Sequence, residues 1–306
     1  MPAAKIHHLN CASMHPLAGF ALEHRGAASR FAGLVCHCLL IETDAGLILV
    51  DTGLGLADVA QGQSRVGGLF RHIVRPALAA AETARHQVEA LGFSAADVRH
   101  IVLTHLDVDH AGGIGDCPNA RVHVLAVEHE AAMARRHIKE RERYRPHQWQ
   151  AHNDWQLYDA SGESWNGFDA VRAVIDNEPD ILLVPVTGHT RGHAAIAVRQ
   201  EQGWLLHAGD AYFHRDEMAA EPCCPFGLKL FQNMVGVDNS ARRRNQARLR
   251  GLATTQADVR VFCSHDPVEF VRASGQPTRR HGPQRADGLL SSAPATNNKQ
   301  QRWGDR

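Results

Sequence analysis

No window of this sequence approaches the roughly eighteen uninterrupted apolar residues of a membrane-spanning helix. The start, Met1-Pro2-Ala3-Ala4-Lys5-Ile6-His7-His8, also lacks the apolar run of a signal peptide. These two absences set the expectation of a cytoplasmic protein with no membrane partner. An excess of one charge is missing as well: 33 basic residues stand against 33 acidic ones, and the pI is near 7.4. Without a broad basic footprint, nucleic acid is not an expected partner. The seven cysteines, at 11, 36, 38, 117, 223, 224 and 263, are odd in number and have no repeated C-x-x-C grammar. Reduced thiols are the simplest reading, and the adjacent Cys223-Cys224 pair is read as structural or incidental. No internal repeat is evident. What the sequence does have is histidine: 21 copies in 306 residues, far more than packing requires.

At this length there is room for one large α/β domain or two small ones. Residues 35–42 (VCHCLLIE) and 47–51 (LILVD) are apolar, β-rich runs joined by the turn cluster Thr43-Asp44-Ala45-Gly46, and they predict a hairpin. Asp51-Thr52-Gly53 ends its second strand. A helix is expected over 76–91, with Leu78, Val88 and Leu91 on one side and Gly92 as its stop. Ser94-Ala95-Ala96-Asp97 reads as a capped turn leading into a strand at 98–103. A further strand is expected at 121–125, with a helix from Ala126. Residues 128–145 carry six Lys or Arg and four Glu, the pattern of a solvated helix and loop, with a lid or substrate wall as the other reading. Tyr144, His147, Trp149, Trp155 and Trp165 accompany it. Strands follow at 181–186, 194–199, 203–207 and 259–263. Residues 276–306, with six basic and two acidic residues and little apolar content, predict a disordered tail after a domain spanning 1–275.

Chemistry concentrates where the strands end. The run Thr104-His105-Leu106-Asp107-Val108-Asp109-His110-Ala111-Gly112-Gly113 places four ligand-type side chains within six residues, directly after an apolar strand. A strand end that gathers imidazoles and carboxylates is costly unless a cation neutralises it. Three other strands finish the same way, at His189 in Gly188-His189-Thr190, at Asp210 in Gly209-Asp210, and at His265 in Ser264-His265. A single histidine at a strand end is ordinarily a satisfied polar residue; four such ends together point to one composite metal site. Nitrogen and oxygen donors without thiolate suit zinc, manganese or iron, whereas a structural zinc site favours cysteine.

The spacing H-x-D-x-D-H, then G-H-T, G-D and S-H, resembles the metallo-β-lactamase superfamily in order and context over roughly residues 5–270. That resemblance implies an α/β fold, a four-layer αββα sandwich with the site along one edge of the sheets. It further implies that His105, Asp107 and His189 hold one divalent metal ion, that Asp109, His110 and His265 hold a second, and that Asp210 bridges them, with zinc the leading candidate. Asp51 would support the site without binding metal, and His193 would serve as a hydrogen-bonding neighbour or plain packing. The commonest form of the family has histidine where this chain has Asp107. A carboxylate is a harder, anionic donor, so it favours iron or manganese relative to a histidine at that place. Lactone-hydrolysing relatives carry a tyrosine one residue beyond Tyr212, which makes Tyr212 a candidate for polarising a substrate carbonyl, with Asp109 orienting the attacking water.

The expected activity is therefore metal-dependent hydrolysis of a small-molecule ester, lactone or thioester. Phosphodiesterase or nuclease action would use the same metals but would need a basic groove. Sulfur dioxygenase and β-lactamase activities are further rivals within the fold, disfavoured by the intact second ligand set and by the missing export signal. A non-catalytic metal-binding module is the alternative from another class.

Overall fold

The computed structural model describes residues 4–16, 33–175 and 180–275. The expected tail, 276–306, lies outside them.

Near-continuous apolar runs are what strands covered on both faces require, and they build the middle of the molecule. β1 (Lys5–Met14), β2 (Leu34–Thr43) and β3 (Gly46–Val50) pair antiparallel, with Leu40 opposite Leu49 in the expected hairpin. β4 (Val98–Val102), β5 (Arg121–Leu125) and β6 (Trp155–Tyr158) then add in parallel, completing a sheet of order β1-β2-β3-β4-β5-β6. The second sheet is a meander of β7 (Glu163–Trp165), β8 (Phe168–Ala173), β9 (Ile181–Pro185), β10 (Ala194–Arg199) and β11 (Trp204–His207). Its edge is β12 (Val259–Phe262), parallel to β11.

Parallel neighbours need crossovers, and helices supply them. α1 (Leu56–Gln61), α2 (Gln63–Val66), α3 (Gly68–Val74) and α4 (Ala84–Ala90) lie between β3 and β4, and α5 (Val108–Ala111) lies between β4 and β5. α6 (Ala126–Ala134) and α7 (Ile138–Arg143) follow β5. α8 (Phe226–Val235) and α9 (Asn239–Thr255) connect β11 to β12, and α10 (Pro267–Ser274) comes last among the described residues.

Strand alternation sorts the apolar side chains into three layers of core. Leu39, Ile41, Ile48, Val50 and Val102 face Leu183, Ile196, Val198, Leu205 and Phe262 between the sheets. On the outer face of the first sheet Leu40, Leu49, Ile101 and Val122 pack with Val88 of α4 and Ala131 and Ala132 of α6. On the outer face of the second, Val184, Ala195, Ala197 and Leu206 pack with Leu249 and Leu252 of α9. This is the α/β, four-layer αββα sandwich that the family resemblance implied.

Two local expectations are corrected. β1 was not foreseen, because His7, His8, Asn10 and Ser13 interrupt its apolar residues. The helix expected over 76–91 keeps only its second half. Pro76 forms a bridge to Met14, Ala77 N–H donates to the Ser13 carbonyl (2.8 Å), and Leu78 takes a left-handed φ of 51°. Pairing with β1 thus wins over helix until Thr83, whose hydroxyl caps α4 by accepting from His86 N–H. Leu91, assigned to the buried side, is exposed.

Buried neutral imidazoles are expected to make this fold acid-labile. His8 and His37 share a ring–ring hydrogen bond of 2.7 Å, and burial, with the neighbouring His207 and Arg260, pushes His8 down to about 4. His123 lies between His100 (2.8 Å) and the Tyr158 hydroxyl (2.8 Å), and burial with His100 and Arg121 nearby pushes it down to about 3. Tyr158 donates onward to the Val174 carbonyl, so it accepts from His123 Nδ1. His123 Nε2 is then the acceptor from His100, and an added proton would break that bond. The unfolded chain binds protons at these positions near pH 6.5, before the folded chain does, so stability is complete above that pH and falls below it. The urea midpoint is expected to drop between pH 6.5 and 4, as the unfolding free energy falls by about 2–3 kcal/mol for each of the two groups. A midpoint that stays constant over that range would contradict this.

Candidate metal centre

Asp51 anchors the motif that follows β4. It stands just beyond β3 with φ 55°, and its carboxylate accepts from Thr104 N–H, the Thr104 hydroxyl and His110 Nδ1, each at 2.8 Å. Burial alone would raise its pKa, but the facing His110 holds it down at about 2. Thr52 adds a second tie: its N–H and hydroxyl both donate to the His110 carbonyl (2.9 and 2.7 Å), and Gly113 N–H donates back to its hydroxyl (3.0 Å). Gly53 follows at φ 63°, where a Cβ would sit 2.3 Å from Cys11 Cβ, so only glycine fits. The D-T-G turn thus holds residues 104–113 in place without facing into the cluster.

The other strand ends are tied to the same place. Ala194 N–H at the start of β10 donates to the Thr104 carbonyl (3.0 Å). His193 donates from Nδ1 to the Val186 carbonyl (3.2 Å) and accepts Asp210 N–H at Nε2 (2.9 Å), which fixes its tautomer and sets the backbone of Asp210. Of the two roles expected for His193, hydrogen bonding beside the site is the one the geometry supports. His265 donates from Nδ1 to the Val35 carbonyl (2.7 Å), turning Nε2 inward.

The result is one buried cluster centred on Asp210. Its Oδ1 lies 3.3 Å from His110 Nε2 and 3.0 Å from His265 Nε2; its Oδ2 lies 3.3 Å from His189 Nε2 and 3.9 Å from His105 Nε2. Asp107 Oδ2 stands 3.0 Å from His189 Nε2 and 3.4 Å from His105 Nε2. Asp109 is 3.7 Å from His265 Nε2 and 4.0 Å from His110 Nε2. His105, His189 and Asp210 form one group able to hold an ion, and His110, Asp210 and His265 form another. The Cys36 thiol, which the sequence reading left out, lies 3.9 Å from Asp109 and forms a third such group with Asp109 and His265.

The electrostatics and the unpaired atoms both suit cations. His105 Nε2, His110 Nε2 and Asp210 Oδ1 are buried without a hydrogen-bond partner, a costly state for groups that could instead be ligands. Although burial opposes the charged forms, His265 and His110 hold the Asp210 carboxyl well below the usual range, and Asp210 in turn draws protons onto both histidines. Protons thus balance the carboxylates of the bare cluster, and divalent cations would displace them.

The family model for the metallo-β-lactamase superfamily matches residues 32–265. The chain belongs to that superfamily. It is 43% identical over 267 residues to a probable metallo-hydrolase of Mycobacterium tuberculosis, covering 87% of this chain and 81% of that protein. It is 26% identical to an N-acyl homoserine lactonase of Bacillus thuringiensis, covering 78% and 83%. Among solved structures it resembles an N-acyl homoserine lactone hydrolase with N-hexanoyl-L-homoserine at its metal centre. The TM-score is 0.65 at 22% identity, covering 88% of this chain and 96% of that one, a likeness of fold. Superfamily membership and the donor cluster together make the chain a metallo-hydrolase for divalent cations.

Two contacts escaped the sequence reading of this metallo-β-lactamase member. Arg143, counted there in a solvated helix, points inward and donates from one nitrogen to both oxygens of Asp107 (3.1 and 2.9 Å). Glu128, in the first turn of α6, is fully buried and accepts from Leu106 N–H (3.1 Å), Gly192 N–H (2.9 Å) and the Tyr144 hydroxyl (3.1 Å). The aromatic segment is no substrate wall at Tyr144 and Trp149, which belong to the core. Trp165 packs edge-on against Trp204.

Tyr212 is not presented to the cluster. It is buried in the core of the second sheet, and its hydroxyl donates to Glu269 (2.9 Å), whose carboxyl burial and the nearby Asp266 push up to about 8. The residue beside it faces the candidate ligands: the Phe213 ring stacks on His265 with centroids 4.9 Å apart. The role expected for the Tyr212 hydroxyl is therefore corrected to a structural one. Tyr212→Phe is expected to keep kcat within about threefold while losing ~1–2 kcal/mol of stability; a kcat loss of a hundredfold with unchanged unfolding would restore the catalytic role.

Proposed function

We propose that this chain hydrolyses a small-molecule lactone, ester or thioester with two divalent ions. His105, Asp107 and His189 hold one ion and Asp109, His110 and His265 the other, with Asp210 between them and zinc the leading candidate. The observation that carries this reading is the central place of Asp210, whose carboxylate lies within 4 Å of all four histidines: Oδ1 near His110 and His265, Oδ2 near His189 and His105, with His265 Nε2 also 3.2 Å from Oδ2. When bound, such ions supply Lewis acidity toward the carbonyl and a nucleophilic water at neutral pH.

The side chains do the remaining work. Asp109 makes only long contacts with His110, His265 and Cys36, which leaves carboxylate lone pairs available to orient the attacking water. It takes the proton that this water gives up. The same proton then goes to the alkoxide or thiolate that leaves the carbonyl carbon, so the products are a carboxylic acid and an alcohol or thiol. Phe213 places an apolar face beside His265.

The likeness to N-acyl homoserine lactonases in sequence and fold supports a carbonyl substrate. The state of the arginine-rich segment supports it further. Arg143, the arginine of this segment that reaches the cluster, is committed to Asp107 and so is not free to meet a polyanion there. No described helix is long and apolar enough to cross a membrane.

The test is a panel of p-nitrophenyl esters, homoserine lactones and S-lactoylglutathione, run beside bis-p-nitrophenyl phosphate on protein of measured metal content. Turnover of at least one carbonyl substrate is expected. Cleavage of the phosphodiester alone by protein carrying two ions would overturn the reading in favour of a phosphodiesterase.

A further inference from the structure

Arg143 is the one arginine or lysine among the described residues that donates to a carboxylate of the cluster. Its side chain is 10% exposed. Nη1 reaches both oxygens of Asp107, and Nη2 donates to the Val235 carbonyl in the last turn of α8. Burying a guanidinium is unfavourable unless a partner charge and hydrogen bonds compensate it; here Asp107 supplies the charge and, with Val235, accepts from Nη1 and Nη2. The contact also fixes Asp107. With both carboxylate oxygens on one Arg143 nitrogen, Oδ2 stays turned toward His189 and His105, 3.0 and 3.4 Å away.

The charge count leads to the same pairing. Before any ion binds, Asp107, Asp109 and Asp210 bring three carboxylates to one cluster, and neutral histidines offset none of that charge. Arg143 cancels one of the three, on the His105–His189 side. We infer that Arg143 is a positioning residue for Asp107 and that the two act as a unit. The carboxylate provides an oxygen donor, while the guanidinium sets its orientation and removes its net charge, so that the His105–Asp107–His189 group behaves as a neutral donor set. This rests on the dinuclear reading above and deepens it. The unit also makes this ion site depend on the seating of α7 against α8, through Val235.

The test is a double-substitution cycle read by metal binding rather than by turnover. Wild type, Arg143→Met, Asp107→His and the double variant are compared by elemental analysis and by competition with a chromophoric zinc chelator. Thermal unfolding is recorded for each. Arg143→Met is expected to weaken one of the two zinc ions by roughly 10–100-fold, the usual cost of removing a partner that orients a ligand. Asp107→His alone is expected to lose affinity and stability, because it leaves Arg143 buried without its counter-charge. The double variant is expected to bind zinc more tightly than Arg143→Met.

Should Arg143→Met not fold, Arg143→Lys serves instead: it keeps the charge at a point without the planar geometry, and a loss of several-fold is expected. Two zinc ions at wild-type affinity in the folded Arg143 variant, or strictly additive effects in the cycle, would overturn the inference alone. Wild-type protein that binds no second ion would overturn the dinuclear reading, and this inference with it.

Discussion

Replacing Asp210 with alanine is expected to lower kcat by about three orders of magnitude or more and to release at least one of two bound ions. Among the described residues no other carboxylate stands within 3.3 Å of a histidine on both sides of the cluster: Asp107 meets His189 and Asp109 has only longer contacts. Removing Asp210 also removes the charge that draws protons onto His110 and His265, so the bare site loses its internal balance as well as its shared donor. Asp210→Asn separates these effects, since an amide keeps the shape and one oxygen donor but not the charge. It is expected to keep more metal than Asp210→Ala while still losing most of the turnover. Metal content by elemental analysis and kcat on the best carbonyl substrate check both variants. An Asp210→Ala protein with two ions and near-normal kcat would refute the dinuclear assignment.

The candidate donors were legible because each occupies a short local signature at the end of an apolar strand. His105, Asp107, Asp109 and His110 sit in one run, while His189, Asp210 and His265 each follow a strand that its own residues predict. The strands gave α/β grammar, and the order of the layers came from the family resemblance rather than from them. What was hidden depended on partners distant in sequence. Arg143 looks solvated beside Arg141 and Arg145, and only the fold brings Asp107, 36 positions earlier, under it. α9 hides for a related reason, since its buried face includes Arg242 and Asn245. These are satisfied by Gln232 and by the Thr187 carbonyl rather than by an apolar stripe. Tyr212 shows the reverse failure: its distance from Asp210 placed it near the site, but the loop turns Phe213 inward and Tyr212 toward Glu269. Spacing locates a side chain along the chain and does not give its direction in a loop.

Glu128→Ala is expected to cost about 3–5 kcal/mol of stability, although Glu128 makes no contact with the candidate ligands. Its carboxylate joins the two loops that carry them. One oxygen accepts Leu106 N–H, between His105 and Asp107, and the Tyr144 hydroxyl; the other accepts Gly192 N–H, between His189 and His193. The position in the first turn of α6 suits a carboxylate, because the helix N-terminus favours negative charge. Alanine would leave three buried donors without an acceptor, each worth about 1–3 kcal/mol, with some recovery if water enters. For a chain of this size the melting temperature should fall by roughly 10 °C. Because Leu106 and Gly192 set the backbone beside His105, Asp107 and His189, zinc affinity should fall along with stability. Glu128→Gln is expected to lie between the two, since its amide nitrogen meets one of the N–H donors head-on while its oxygen still serves the other. A melting temperature of Glu128→Ala within about 2 °C of wild type would show that the two loops hold their ligands without this carboxylate.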